Sequence, residues 1–456
     1  MRKLLLGGAG LAALGALGAL GFAAPAQAQE TPAGGTPPAA VFPITTETDL
    51  AGVQGPSLNG AAPGSVQVNL GARFYSAVWF GNTPSTAPGY AANAQPQINT
   101  WFQLYPGFDY ATPGGVHFGA QAQLWTTSNP NGVGPGTPGS VGGTAGSANV
   151  AGGLGQLPQW HQAFGYVSSA TWGKFQFGTP NSALTQEAVG TGDDFGTGMF
   201  FSWYSTTPYV PWVMGDAYDN YNATEKLVYI TPNISGFTGA VSYQPSAVGM
   251  SWNDANVNGL NPGNTGLLSR NRINIAAKYD GTIGIAGVKA NAGYVFADAE
   301  KAGGINTAQQ VNFYNVGLEV HIAGFELEGS IVSGKYNIAV ADGGNTQGPL
   351  AAGAKGTTAW IAGAGYEAGP VKVGAMYYGV RYDAGDLGGT LGSTGTISGE
   401  GIGASYKVGP GVVLYLDAIN ANMTAGTSYY SYNTSKAAGN VVYHPMGLGI
   451  GTFFTW

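Results

Sequence analysis

The 456-residue chain carries a formal net charge of −7, only 9% charged residues, 12% aromatics, 78 glycines and no cysteine. Soluble domains hold roughly 25% charged residues and about 7% glycine, so this is not the composition of an ordinary cytosolic enzyme. The aromatic share argues against disorder. The absence of cysteine excludes disulfides, thiolate metal sites and cysteine nucleophiles, and an acidic balance with no basic patch argues against a nucleic-acid partner.

The chain opens on Arg2 and Lys3, then an apolar run from Leu4 to Ala24 that closes on Ala26-Gln27-Ala28. A basic start, an apolar middle and small residues at a cleavage site describe a secretory signal peptide over 1–28. A transmembrane anchor fits less well, because the run ends in a cleavable triplet. Removing these residues takes away two basic groups and no acidic one, so the net charge moves from −7 to −9. Residues 29–64, rich in Pro, Ala, Gly and Thr without period, are expected to be a flexible segment. No later stretch approaches the roughly 20 apolar residues of a spanning helix.

From Ser65 the hydropathy has a period of two. Val66, Val68, Leu70, Ala72, Phe74, Val78 and Phe80 share one face, and Gln67, Asn69, Arg73 and Tyr75 share the other. Such alternation makes a strand with one apolar and one polar side. It recurs in Phe118, Ala120 and Ala122 against His117, Gln121 and Gln123. It recurs again in Leu318, Val320 and Ile322 against Glu319 and His321, and in Phe325 and Leu327 against Glu326 and Glu328. Sixteen strands are expected, near 65–80, 97–105, 116–125, 161–170, 173–178, 226–231, 237–244, 270–279, 287–296, 312–322, 325–333, 358–366, 371–381, 400–408, 411–420 and 446–456.

Short connections carry Gly, Pro, Asn and Asp, as at Thr171-Trp172-Gly173, Asp280-Gly281-Thr282, Ala323-Gly324 and Gly409-Pro410-Gly411. These residues supply turn dihedrals. Long connections fall between them, the longest over 179–225. Even strand number with short turns on one rim and long loops on the other describes a sixteen-stranded antiparallel transmembrane β-barrel over 65–456. Hydrocarbon cannot satisfy open backbone groups, so a spanning sheet must close on itself. Glycine along the strands is expected to relieve crowding at steep tilt. A soluble sandwich or a Gly-rich solenoid would show more surface charge and no short–long rhythm.

Several segments resemble the general bacterial outer-membrane porins, most closely the alphaproteobacterial type. Gln162-Ala163-Phe164-Gly165-Tyr166-Val167, followed by Trp172-Gly173-Lys174-Phe175-Gln176-Phe177-Gly178, is similar to the family hairpin before its constriction loop. Lys226-Leu227-Val228-Tyr229, Gly236-Phe237 and Val241-Ser242-Tyr243 resemble the hairpin after it. The last strand alternates Met446, Leu448, Ile450, Thr452, Phe454 and Trp456 with glycines and ends on an aromatic, though many of the family end in Phe. The resemblance implies a bacterial outer-membrane location and a third long loop folded into the barrel. It also implies a homotrimer embedded in outer-membrane lipid, and a C-terminal strand read by the barrel-assembly machinery. Small hydrophilic solutes and ions would pass without a cofactor.

Loop 179–225 would be the constriction. It holds Glu187, Asp193, Asp194, Asp216 and Asp219, and Asp193-Asp194-Phe195-Gly196 resembles the tip of the family loop. The resemblance implies basic groups on the wall opposite, for which the candidates are Arg73, Lys174, Lys226, Arg270 and Arg272. Strand parity puts Arg73 with Gln67 and Asn69, and Arg272 with Asn274 and Lys278. The second to fourth strands carry no Arg or Lys, only His117 and His161. A weak cation preference follows, since rings of charge set ion selectivity. The loop aromatics, Phe195, Trp203, Tyr204 and Trp212 among them, are expected to pack the loop against the wall. A stacking track in a carbohydrate-selective channel is the alternative. Enzymatic chemistry is not expected: His117, His161, His321 and His444 sit in no nucleophile or metal-ligand motif.

Overall fold

The computed structural model describes residues 61–82, 97–127, 159–190, 225–246, 268–300, 309–336, 355–383, 394–425, 441–443 and 446–455. The expected signal peptide and most of segment 29–64 lie outside these residues, as does Trp456. The strands are β1 (Val66–Asn82), β2 (Gln97–Ala111), β3 (His117–Thr127), β4 (Gln159–Ser169), β5 (Gly173–Gly178) and β6 (Lys226–Ile230). They continue with β7 (Phe237–Ser246), β8 (Leu268–Ile283), β9 (Ala286–Glu300), β10 (Val311–Ile322), β11 (Phe325–Lys335) and β12 (Gly356–Ala368). The last are β13 (Val371–Asp383), β14 (Thr394–Gly409), β15 (Val412–Ala425), β16 (Val441–Tyr443) and β17 (Met446–Thr455). One short helix, α1 (Ala183–Glu187), follows β5.

Each strand pairs antiparallel with its sequence neighbours, and β17 returns to β1 with Phe74 opposite Phe454. β16 and β17 both pair with β15, Met423 opposite Tyr443 and then Asn420 opposite Met446. They are two pieces of one wall strand, so the closed barrel has the sixteen strands that alternation predicts. Every second connection is short, which gathers the short turns at one rim and the long connections at the other.

Several strands run longer than expected, β14 by six residues at its start, and two of the differences have a plain physical reason. β2 runs past Pro106 to Ala111. Leu70 still pairs with Pro106 on the β1 side, while the ladder to β3 skips from Leu104–Leu124 to Gly107–Gln121, where proline has no N–H to give. The turn expected at Asp280-Gly281-Thr282 is strand. The ladder runs on to Ile283 opposite Ala286, and the two-residue turn is Gly284–Ile285, with Gly284 at φ 65°. Glycine at the first central position suits the turn twist that joins antiparallel strands.

The outward face is apolar and open, with Val68 76%, Leu70 64% and Phe325 61% exposed. A continuous belt of this kind is far larger than the apolar patches soluble monomers show to water. The inward face holds Gln103, Asp109, Asn274, Asn315, Glu319 and Asp417, all buried. Tyrosines line it too, and they explain part of the glycine content. Tyr378 lies opposite Gly399 and Tyr415 opposite Gly451. A β-carbon on either glycine would come within 2.3 Å of the tyrosine hydroxyl. The rings therefore lie flat across bare backbone, a role beyond the relief of strand crowding. At the closing seam Tyr75 stacks on Tyr415, ring centroids 5.8 Å apart, with Phe453 5.1 Å from Tyr75.

Candidate functional site

A barrel of sixteen strands is wide enough to keep an open interior, so what enters that interior decides what passes. The described start of the 179–225 connection, residues 179–190, turns inward. Ser182 caps α1, its Oγ accepting from Thr185 N at 3.3 Å. The groups of this segment are tied to the wall strands β5, β7, β8 and β9. Gln186 Nε2 donates to Gln176 Oε1 on β5 at 2.8 Å, and Ala183 N donates to Ser242 Oγ on β7 at 3.0 Å. Glu187 Oε2 accepts from Thr238 Oγ1 on β7 at 2.8 Å and lies 3.5 Å from Lys278 Nζ on β8. Val189 N donates to Asn291 Oδ1 on β9 at 3.1 Å. Asn291 Nδ2 donates in turn to Asn315 Oδ1 on β10, and Asn315 Nδ2 to Ser330 Oγ on β11 at 2.9 Å.

The wall is cut to receive this segment. A β-carbon on Gly293 would sit 2.2 Å from Leu184 Cδ1, and one on Gly317 would sit 1.9 Å from Val189 O. Nothing larger than glycine fits beneath the segment at these two points. Residues 179–190 are thus seated across the inner faces of β5 to β11.

Of the expected acidic residues, Glu187 is buried in this seat. Asp193, Asp194, Asp216 and Asp219 lie outside the described residues, as do Phe195, Trp203, Tyr204 and Trp212. Among the expected basic residues, Arg73 is on the inner face with its guanidinium 6.0 Å from the Phe453 ring. Lys174 lies 5.6 Å from the Tyr166 ring. Lys226 is buried, and Arg272 is buried with its guanidinium 5.8 Å from the Phe313 ring. Arg270 is exposed. It stands beyond Asn271, whose φ of 51° coincides with a register shift against β9. A bulge of this sort re-aims side chains, so parity cannot be counted from Arg272 to Arg270.

Charges outside the expected set complete the inner wall. Lys278 reaches Glu187. Asp109 accepts from Tyr166 Oη at 2.7 Å and from Ala61 N at 3.2 Å, and lies 2.7 Å from His117 Nδ1. Nearer the short-turn rim, Lys289 pairs with Glu319 at 2.9 Å and Lys372 with Glu326 at 2.8 Å. His321 stands between Glu319 and Glu326, and Lys407 pairs with Glu367 at 2.6 Å. Lys278 was visible in the sequence, on the same parity as Arg272. Asp109 was hidden because it follows Pro106, where the strand was expected to have ended.

Known proteins share this architecture. A model of the Gram-negative porin family matches residues 10–426. No curated protein sequence matches. Among solved structures, the anion-selective porin from Comamonas acidovorans is 14% identical, with 86% of this chain and 100% of that chain covered and a TM-score of 0.52. A variant of the Rhodopseudomonas blastica porin is 14% identical over the same shares, with a TM-score of 0.49. At such identity the first of these likenesses speaks for the fold alone. The family match, the closed sixteen-stranded barrel and its apolar outer belt together make this chain a member of the Gram-negative porin family, a channel of the bacterial outer membrane.

Proposed function

We propose that the barrel is a passive diffusion channel for small hydrophilic solutes and ions, narrowed by its third loop and weakly cation-preferring. The observation that carries this reading is the seating of residues 179–190 across the inner wall. It brings Glu187 inside and starts the rest of the acidic loop from within the barrel. In this reading Glu187, Asp193, Asp194, Asp216 and Asp219 supply the acidic side of the constriction. Arg73, Lys174, Lys226 and Arg272 supply the basic side. Opposed charges across a wet pore orient dipolar solutes and bias ions. The described basic groups of the inner wall largely have carboxylates or rings beside them, so the loop acids tip the balance toward cations. The chain's net charge of −7 has the same sign. The channel acts as a homotrimer, as its family resemblance implies, and no step requires a cofactor.

A planar-bilayer recording under a salt gradient, with a series of sugars added, tests the reading. The expected result is an open, ohmic channel whose reversal potential favours cations modestly, with a smooth size cut-off for sugars. An anion-favouring reversal potential would overturn the charge assignment. Saturable block by one sugar would replace general diffusion with a carbohydrate-selective channel.

A further inference from the structure

We infer that the inner wall of β2 to β5, at the short-turn mouth, is the docking surface for the chain's own residues 29–60. The inference goes beyond the diffusion reading and rests on how the chain enters β1, not on ion selectivity.

β1 is entered from inside the barrel. Ala62 to Ser65 form a turn, with Ser65 N donating to Ala62 O at 2.9 Å and Gly64 at φ 80°. Gly64 N donates to Ala111 O at 2.7 Å, which fixes the turn at the end of β2. Before the turn, Ala61 is buried and its N–H meets Asp109 Oδ2 at 3.2 Å. Asp109 points inward from β2, two residues before its end at Ala111 and about 7 Å farther in along the strand. A chain that approached along the outer face, or straight up to the rim, could not make this bond. Asp109 is fully buried and also accepts from Tyr166 Oη, with His117 Nδ1 2.7 Å away. A buried carboxylate is tolerable only with its hydrogen bonds made. The Ala61 contact is therefore part of the wall's polar balance, and it holds the start of the upstream chain on the lumen side.

The wall beside this point offers the charge that the upstream chain lacks. Residues 29–60 carry Glu30, Glu47 and Asp49 and no Lys or Arg. On the last inward row before the rim, His117 lies opposite Ser168, and Ser168 opposite Lys174. Farther round the same rim, Lys289, Lys372 and Lys407 each have a carboxylate within 2.9 Å. Lys174 is half-buried with the Tyr166 ring 5.6 Å away, and among the described residues it makes no ion pair. A half-buried cation facing the lumen gains from a carboxylate at contact, because the local dielectric is below that of water. Glu47 and Asp49 precede Ala61 by a length of chain that spans roughly 40 Å at full extension, so reach does not limit them. The five prolines of residues 29–60 reduce the entropy lost on docking. The covalent tether makes the encounter intramolecular, so weak contacts suffice. Chain direction, charge and tether thus favour this segment over a separate partner as the occupant, and solutes leaving on this side pass a mouth that it narrows.

Distances from double electron–electron resonance, on the full-length barrel in non-ionic detergent, test this. The chain has no cysteine, so spin labels go only where they are placed. Thr48→Cys is paired with Thr171→Cys, beside Lys174, or with Ala368→Cys, at the end of β12 across the mouth. The expected result is a narrow, short distance to 171 and a longer one to 368. Lys174→Gln should shrink the narrow population about threefold, as loss of one ion pair predicts. Salt at about 1 M, where the screening length is about 3 Å, should shrink it similarly. Lys174→Arg should keep it, which separates charge loss from misfolding. Equal, broad distances to 171 and 368 would overturn the inference, and so would a narrow population that Lys174→Gln leaves untouched. A narrow distance that vanishes on dilution with unlabelled protein would put the segment on a neighbouring copy and overturn docking within one chain. The diffusion reading fails on separate evidence, the reversal potential and the sugar series.

Discussion

The inner wall is built in two ways. Toward the long connections of β2 to β4, above the Asp109–His117 contact, it is held by neutral groups: Gln162 Nε2 donates to Gln123 Oε1 at 3.0 Å, Gln123 Nε2 to Tyr105 Oη at 3.3 Å, and Tyr105 Oη to Gln103 Oε1 at 2.6 Å. On β9 to β14 the same structural task falls to ions, with Lys289, Glu319, His321, Glu326 and Lys372 in succession and Lys407 with Glu367 beyond them. Both regions satisfy inward polar groups across neighbouring strands. They differ in what a broken contact leaves behind. An orphaned amide keeps dipoles that water can meet, whereas an orphaned buried charge has lost the partner that made its burial tolerable.

This contrast can be broken by substitution. Lys372→Met leaves Glu326, which is 4% exposed, with His321 3.9 Å away in place of its close lysine partner, and should cost about 3 kcal/mol; urea titration in detergent, read by gel mobility, measures it. Gly317→Val should cost about 1–3 kcal/mol through overpacking. Its side chain needs the space of Val189 O, so the loop should shift into the channel and single-channel conductance should fall. Gln123→Met on the neutral wall should cost about 1 kcal/mol in the same titration. If it costs as much as Lys372→Met, the two walls are energetically alike and the distinction fails. Glu187→Gln should have the smallest effect. It keeps an acceptor for Thr238 while removing the charge beside Lys278, and should lower cation preference slightly in reversal-potential measurements.

Much of this barrel was legible because lipid and water on opposite faces write a strict two-residue rhythm. Val66, Val68 and Leu70 against Gln67 and Asn69 needed no partner strand to be read. Features that break the rhythm were not legible. The second strand is expected to stop at 105, yet the ladder to β1 runs through Pro106, whose missing N–H interrupts only the pairing with β3. Asp280-Gly281-Thr282 has turn composition, but Gly284 takes the positive φ. The five residues of α1 are too few to show helical periodicity. Asn271 turns the strand by adopting a left-handed backbone, and no local pattern announces that Arg270 has left the parity of Arg272. Within the loop, the acidic residues could be listed from the sequence, but the glycines that seat it belong to β9 and β10, more than a hundred residues away from the segment they receive.

The tyrosines laid over Gly399 and Gly451 carry a consequence for how such a protein can change. A methyl group at either glycine would lift a ring off the wall and narrow the bore. Throughput can thus be retuned at positions that no permeating molecule ever meets, while the contacting surface keeps its chemistry. A lineage under pressure to admit less has this route open through ordinary drift at backbone-only sites, one substitution at a time.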